Sequence, residues 1–270
     1  MPDLEKVVVL GGGYTGLAVA RRAQALGRHV AVSARREEHA RELEALGFRA
    51  LFGPPLQASL RAEVGAATHV VVTFPPDGVT DAVIAPELAR AGAVTYVSST
   101  AVYGKLRGHI DDTTPVPDAT GRAVARLAAE ATYRALGGCV LRCPGIYGKD
   151  RGIHVRLLRG DYRLPGDGSH VLSRIHVEDL ADLLLAAPRA PRETFVVGDL
   201  EPAPHAVVVR FLCERYGLPF PPSAPLDAVP ETLTADRDVD ASRALATFGV
   251  TLRYPSFREG MAPEATGLAR

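Results

Sequence analysis

The sequence predicts an α/β fold, a doubly wound parallel sheet with a smaller C-terminal subdomain. Three observations carry that prediction. Short apolar runs recur from residue 6 to residue 197, segments with helical spacing separate them, and the first run ends in Gly11-Gly12-Gly13. Strands alternating with helices imply a parallel sheet covered on both faces, and right-handed crossovers make it doubly wound.

The elements follow in order. Lys6-Val7-Val8-Val9-Leu10 reads as a buried strand. Leu17, Val19, Ala20, Ala23 and Leu26 recur at helical spacing over 16–26, and Gly27 closes that helix. His29–Ala34 predicts a second strand and Arg36–Leu46 a charged helix. His69–Phe74 and Val94–Ser98 are further strands, with a helix over Thr80–Arg90 between them. The Ala-rich segment Thr120–Leu136 predicts a helix that leads into a strand at Cys139–Arg142. Beyond Tyr147 the alternation weakens, because 148–174 is rich in Gly, Arg and His. A helix resumes over 176–187 and a strand over Thr194–Val197. Pro219, Pro221, Pro222, Pro225 and Pro230 make 218–230 a rigid connection, not a helix. The chain therefore divides into a sheet domain, 1–147 joined by about 175–199, and a smaller substrate-side subdomain, 148–270, mainly 148–174 and 200–270.

The 270 residues are 47% hydrophobic and 23% charged with a formal net charge of zero, an ordinary balance for a soluble enzyme. That balance gives no electrostatic case for nucleic acid or an anionic membrane. The three cysteines, Cys139, Cys143 and Cys213, form no CxxC pair, so buried thiols are expected and no metal site. Met1 leads almost directly into a strand, with no secretory n-region, and no apolar stretch reaches membrane-spanning length. The expected location is the cytoplasm. The composition is compatible with a homodimer.

Gly11, Gly13 and Gly16 fit GxGxxG between a strand and a helix. The first glycine allows the tight turn, the second lets backbone approach a pyrophosphate, and the third lets helix and strand pack closely. Tyr14 and Thr15 then open a helix whose free N–H groups and positive dipole end face the phosphates of a dinucleotide. A phosphate-binding P-loop is excluded, because neither Gly104-Lys105 nor Gly148-Lys149 is followed by Ser or Thr. An NAD site usually has Asp or Glu near the end of the second strand. Here Val32-Ser33-Ala34-Arg35-Arg36 offers no carboxylate. Ser33, Arg35 and Arg36 suit the 2′-phosphate of NADP, with NAD the alternative. Phe74-Pro75-Pro76 falls at the carboxyl edge of the sheet and is expected to line the adenine side.

Ser98-Ser99-Thr100-Ala101-Val102-Tyr103-Gly104 resembles the SS-x-x-VYG signature of extended short-chain dehydrogenases/reductases, the nucleotide-sugar epimerase/dehydratase group. Leu141-Arg142-Cys143-Pro144-Gly145-Ile146-Tyr147-Gly148 and Ser173-Arg174-Ile175-His176-Val177-Glu178-Asp179-Leu180-Ala181 resemble two further family segments in the expected order. Tyr254-Pro255-Ser256-Phe257-Arg258-Glu259-Gly260 is similar to the ending of an atypical bacterial subgroup. The resemblance implies a Rossmann fold and an NAD(P)-dependent oxidoreductase or epimerase-like protein, with Pro144 on the cofactor side.

One departure bears on chemistry. The family's acid/base pair is Tyr-x-x-x-Lys on the helix before the sixth strand. Anchored on Leu127-Ala128-Ala129-Glu130, that alignment puts Arg122 in the tyrosine slot and Arg126 in the lysine slot. The lysines are Lys6, Lys105 and Lys149, and the residues four before them are Pro2, Ala101 and Gly145. Arginine holds its proton in proteins, so Arg122 can grip an anion but cannot act as the acid/base. Ser99 takes the family's Ser/Thr position and is the remaining catalytic candidate. Lys149, Arg151, Arg174 and His176 fall in segments that resemble the substrate cleft, where together they could grip a phosphate or carboxylate. Tyr133 shares a helix face with Arg126 and reads either as a site residue or as packing. His109, Asp111 and Asp112 read as a mobile flap or a polar loop. Two functions remain open: an NADP-dependent enzyme with a non-standard proton donor and a small, anionic ligand, or a non-catalytic NADP-binding sensor.

Overall fold

The computed structural model describes residues 4–53, 55–229 and 233–268, so Pro230 of the predicted connection lies outside the described residues. In chain order the first half reads β1 (Lys6–Leu10), α1 (Tyr14–Ala25), β2 (His29–Ser33), α2 (Glu37–Ala45), β3 (Arg49–Leu51), α3 (Leu56–Glu63), β4 (Thr68–Val72), α4 (Thr80–Leu88), β5 (Ala93–Ser99), β6 (Gly108–Ile110), α5 (Arg122–Ala135) and β7 (Cys139–Cys143). The second half continues with β8 (Gly145–Tyr147), α6 (Ile153–Arg159), β9 (Leu164–Pro165), β10 (Val171–Leu172), β11 (Arg174–His176), α7 (Val177–Ala186) and β12 (Thr194–Val196). It ends with β13 (Ala203–Pro204), α8 (His205–Tyr216), β14 (Ser223–Ala224), β15 (Arg237–Val239), α9 (Ser242–Phe248), α10 (Phe257–Gly260) and α11 (Pro263–Thr266).

A seven-stranded sheet runs β12-β7-β5-β4-β1-β2-β3, and every pairing in it is parallel. The order reverses at β1, between β2 and β4, which places the ligand crevice at the carboxyl ends of β1 and β4. β1 shows why both faces must be covered. Val7 and Val9 pack with α1 and α7 residues such as Val19, Ala20 and Leu183 on one face, and Val8 and Leu10 pack with Leu60, Ile84 and Tyr133 on the other. This is the alternation of a pleated strand buried twice over.

Beyond β7 the predicted break in regularity is real, but the region is not irregular. A separate cluster of buried residues, including Tyr147, Ile153, Tyr162, Val208, Leu212 and Phe257, joins α6, α8 and α10. A four-stranded sheet, β13-β10-β15-β6, ties 108–110 to this region. That corrects the flap reading. Asp112 accepts from the Val196 N–H at 2.5 Å and pairs with Arg243, and the Asp111 carboxylate accepts from the Thr113 N–H at 2.9 Å. These bonds hold the segment down. No reading of the residues had placed β3, α3 or α8. The three cysteines are free and buried.

Candidate functional site

The three glycines of the loop do three different things. Gly11 has φ +110°, a conformation that L side chains rarely adopt, and a Cβ there would stand 2.7 Å from Thr73 Oγ1. At Gly16 a Cβ would overlap the carbonyl oxygen of Gly11. Gly13 has an ordinary backbone, φ −82°, and a Cβ there would meet nothing within 4 Å. Its open side faces the start of α1, where no side chain caps the helix and no acidic residue lies in the first turn. The first N–H groups of α1 thus remain as donors for an anion. Open space at Gly13 beside free N–H groups fits the diphosphate of a dinucleotide.

Neighbouring strands brace this loop. Ser33 Oγ accepts from the Gly11 N–H at 2.9 Å, so the hydroxyl supports the loop while keeping its own proton to donate. Thr73 Oγ1 donates to the Gly11 carbonyl at 2.8 Å, and His39 Nε2 lies 3.0 Å from the Gly12 carbonyl. Sequence reasoning missed Thr73 and His39. The available signal for Thr73 was a hydroxyl directly after a buried strand. Arg35 and Arg36 are exposed and form no ion pair with any described residue, while Phe74 is half-buried and Pro75 exposed. Pro144 directly follows β7 and is half-buried.

The α5 face is built differently. Arg122 is exposed and Arg126 half-buried. The Arg126 cation lies near Asp81, Tyr96 and Cys143: burial raises all three, and Arg126 opposes each shift. Tyr133 is packing. It is fully buried, stacks on Tyr96 with ring centroids 4.7 Å apart, and donates to Asp81 at 2.5 Å. Burial and Asp81 push its hydroxyl far above the ordinary tyrosine value, so it is no proton donor. Glu130 anchors the helix from below. It accepts from Ser98 at 2.6 Å and takes both Arg142 Nε, at 3.0 Å, and Nη2, at 2.8 Å. Ser99 Oγ accepts from the Ala101 N–H at 3.1 Å, the local backbone bond of a strand-end serine.

Lys149, Arg151, Arg174 and His176 differ in burial and in partners. Lys149 and Arg151 are exposed on a tight turn closed by reciprocal backbone bonds between Gly148 and Arg151, at 2.9 and 3.1 Å. His176 is buried, caps α7 by accepting from the Glu178 N–H at 3.2 Å, and stacks on Tyr254 at 3.8 Å. Burial lowers its pKa to about 4, with the Arg253 charge acting in the same direction. Arg174 lies inside the C-terminal cluster, 3% exposed, with Nη1 donating to the Leu172 carbonyl at 2.8 Å. Beside it, Asp199 is buried, and burial raises its carboxyl to about 7 although Arg174 pulls the other way. Burial likewise lowers the Arg174 pKa from the ordinary arginine value, with Asp199 opposing it, because a buried charge is costly. A depression of about 930 Å³ lined by Lys6, Arg28, Arg49 and Glu63 lies at the amino ends of β1, β2 and β4. That is the edge opposite the glycine loop.

A parallel sheet with a glycine loop at its switch point is a Rossmann-like fold. The model of the NAD-dependent epimerase/dehydratase family matches residues 78–198. The chain is similar to a 3-diazoavenalumate denitrifying reductase from a Streptomyces species, 32% identical over 171 residues. That match covers 58% of this chain and 56% of the reductase, so the chain spans about half the length of that relative. A functionally unknown conserved protein from Silicibacter pomeroyi superposes with a TM-score of 0.83 at 30% identity, covering 97% of this chain and 98% of that one. The UDP-glucuronic acid 4-epimerase of Bacillus cereus, solved with UDP-glucuronic acid and NAD, shares the fold with a TM-score of 0.75 at 16% identity and 97% coverage of both chains. No helix among the described residues is long and apolar enough to cross a membrane.

Proposed function

We propose that this chain is an NADP-linked oxidoreductase of the atypical extended type, working on a small anionic substrate without the Tyr/Lys pair. The observation that carries the reading is the open face of Gly13 beside the uncapped start of α1. When bound, the dinucleotide supplies hydride transfer. The N–H groups of Tyr14, Thr15 and Gly16 hold its phosphates, and Arg35 and Arg36 hold the 2′-phosphate by charge-assisted bonds. Arg122 and Arg126 give the α5 face two permanent cations, which favour an anionic substrate and leave that face without a proton to exchange near neutral pH. Ser99 can donate one hydrogen bond to a substrate oxygen while its Oγ accepts from Ala101. An epimerase must take and return a hydroxyl proton. A reductase acting on an acceptor that needs no proton in the transition state does not, and one relative bears a reductase name.

A second reading, a non-catalytic NADP sensor, is favoured by Tyr133, whose hydroxyl is locked on Asp81 instead of standing ready as an acid. The test is titration of NADPH and NADH, followed by NADPH oxidation against a panel of carboxylate-bearing carbonyl and diazo compounds. Tighter NADPH binding that weakens tenfold or more in Arg35→Ser with Arg36→Ser, with NADH affinity unchanged, is expected. Tighter NADH binding would overturn the NADP assignment. Turnover that needs Ser99 supports the enzyme, and tight binding without turnover across the panel supports the sensor.

A further inference from the structure

Resting on the dinucleotide reading above, we infer that Arg151 is a cofactor residue, a cation that closes over the pyrophosphate from the substrate side of the cleft. Its guanidinium stands 5.0 Å from the ring centroid of Tyr14, the first residue of α1. That is cation–π distance, and it fixes the direction of a side chain that is otherwise exposed. Arg151 makes no ion pair with any described residue, whereas Arg142, Arg243, Arg253 and Arg258 are all paired with carboxylates.

The turn that carries Arg151 is docked on the glycine loop. Gly148 and Arg151 exchange backbone bonds across it. A Cβ at Gly148 would collide with the Tyr14 hydroxyl and come within 2.9 Å of Val177. Burial and the Asp150 carboxylate raise that hydroxyl above the ordinary tyrosine value, while Arg151 works against the shift. Tyr14 is thus enclosed by 148–151 and by the start of α7, and the turn is seated on the residue whose N–H opens the anion site.

The chemistry completes the case. The loop offers a pyrophosphate only N–H groups and a helix dipole, and the first turn of α1 contains no cation. A guanidinium matches two phosphate oxygens at once, and Arg151 is free to do so. Lys149, two residues earlier, is directed elsewhere: its Nζ lies near Gly267, and its carbonyl faces His154 Nε2 at 3.1 Å.

The test separates pyrophosphate from 2′-phosphate. NADPH, NADH and 2′-AMP, which carries no 5′-phosphate, are titrated against the parent, Arg151→Ala, Arg151→Lys and Tyr14→Leu. Arg151→Ala should weaken NADPH and NADH alike, by roughly tenfold to a hundredfold, and leave 2′-AMP unchanged. Arg151→Lys should recover part of the loss, and Tyr14→Leu should reproduce part of it by unseating the guanidinium. An Arg151→Ala protein that binds both dinucleotides like the parent, or that loses only NADPH, overturns the inference. A parent that binds neither dinucleotide overturns the reading beneath it as well, and intact binding with an unchanged Arg151→Ala protein overturns this inference alone.

Discussion

The glycine loop leads into α1 on one face of the sheet, α5 packs on the other, and the two are specified in opposite ways. In the loop, backbone shape is everything: Gly11 and Gly16 are fixed by what surrounds them, and Gly13 is defined by the space in front of it. On α5 the backbone is ordinary helix, and only side chains decide the chemistry. Arg122 is exposed, and nothing in the helix backbone dictates its identity. A motif made of backbone constraints leaves few substitutes and stays readable, while one made of exposed side chains can be exchanged at little cost in folding.

The sharpest way to break that contrast is Gly13→Val. A branched side chain there meets no protein atom, so the fold should survive while dinucleotide binding falls at least about a hundredfold, or about 2.7 kcal/mol. Thermal unfolding and NADPH titration check the two halves, and parent-like affinity would refute the site. Next comes the buried side of α5. Glu130→Ala strands the Arg142 guanidinium in the interior and should cost about 3–5 kcal/mol in denaturant unfolding. A loss under about 1 kcal/mol would mean that water reaches the pair.

Asp199 sharpens the comparison through pH. Its folded pKa of about 7 lies above the unfolded value, so the folded state keeps a proton that the unfolded state releases. Its contribution is therefore fully present below about pH 4, falls as pH rises, and is flat above 7. Asp199→Asn should remove that fall, and its stability advantage over the parent should grow by up to about 4 kcal/mol between pH 4 and pH 7. A difference independent of pH would show that the carboxyl titrates normally. The smallest effect belongs to the exposed Arg122. Arg122→Tyr should leave NADPH affinity within about twofold and stability within about 0.5 kcal/mol. A large loss of affinity would place that residue on the dinucleotide itself.

The sheet and loop were legible because periodicity and glycine spacing report backbone geometry directly. Boundaries shifted where polar residues took over: the predicted strand at 69–74 ends at Val72, because Thr73 turns away to brace Gly11. The burial of the candidate cleft residues was not legible. Arg174 and His176 are two residues apart on a strand, yet one lies in the C-terminal cluster and the other caps a helix. Sequence supplies the charge of a residue but not the burial that neutralises it. Motif matching also gave no reason for the motifs. Glu130 of Leu127-Ala128-Ala129-Glu130 is the partner of Arg142 in the next motif, and the Asp179 carboxylate accepts from the N–H groups of Arg253 and Tyr254, at 2.7 and 2.9 Å. The segments occur together because each satisfies the other's buried groups.

That Glu130–Arg142 bond has a consequence for how such a protein changes over generations. It fastens α5 to β7 from the side that never meets a ligand. The outward side is therefore a bench whose tools can be swapped one at a time, each trial standing on the same unmoved support. Substitutions at exposed Arg122 therefore leave the buried Glu130–Arg142 attachment untouched.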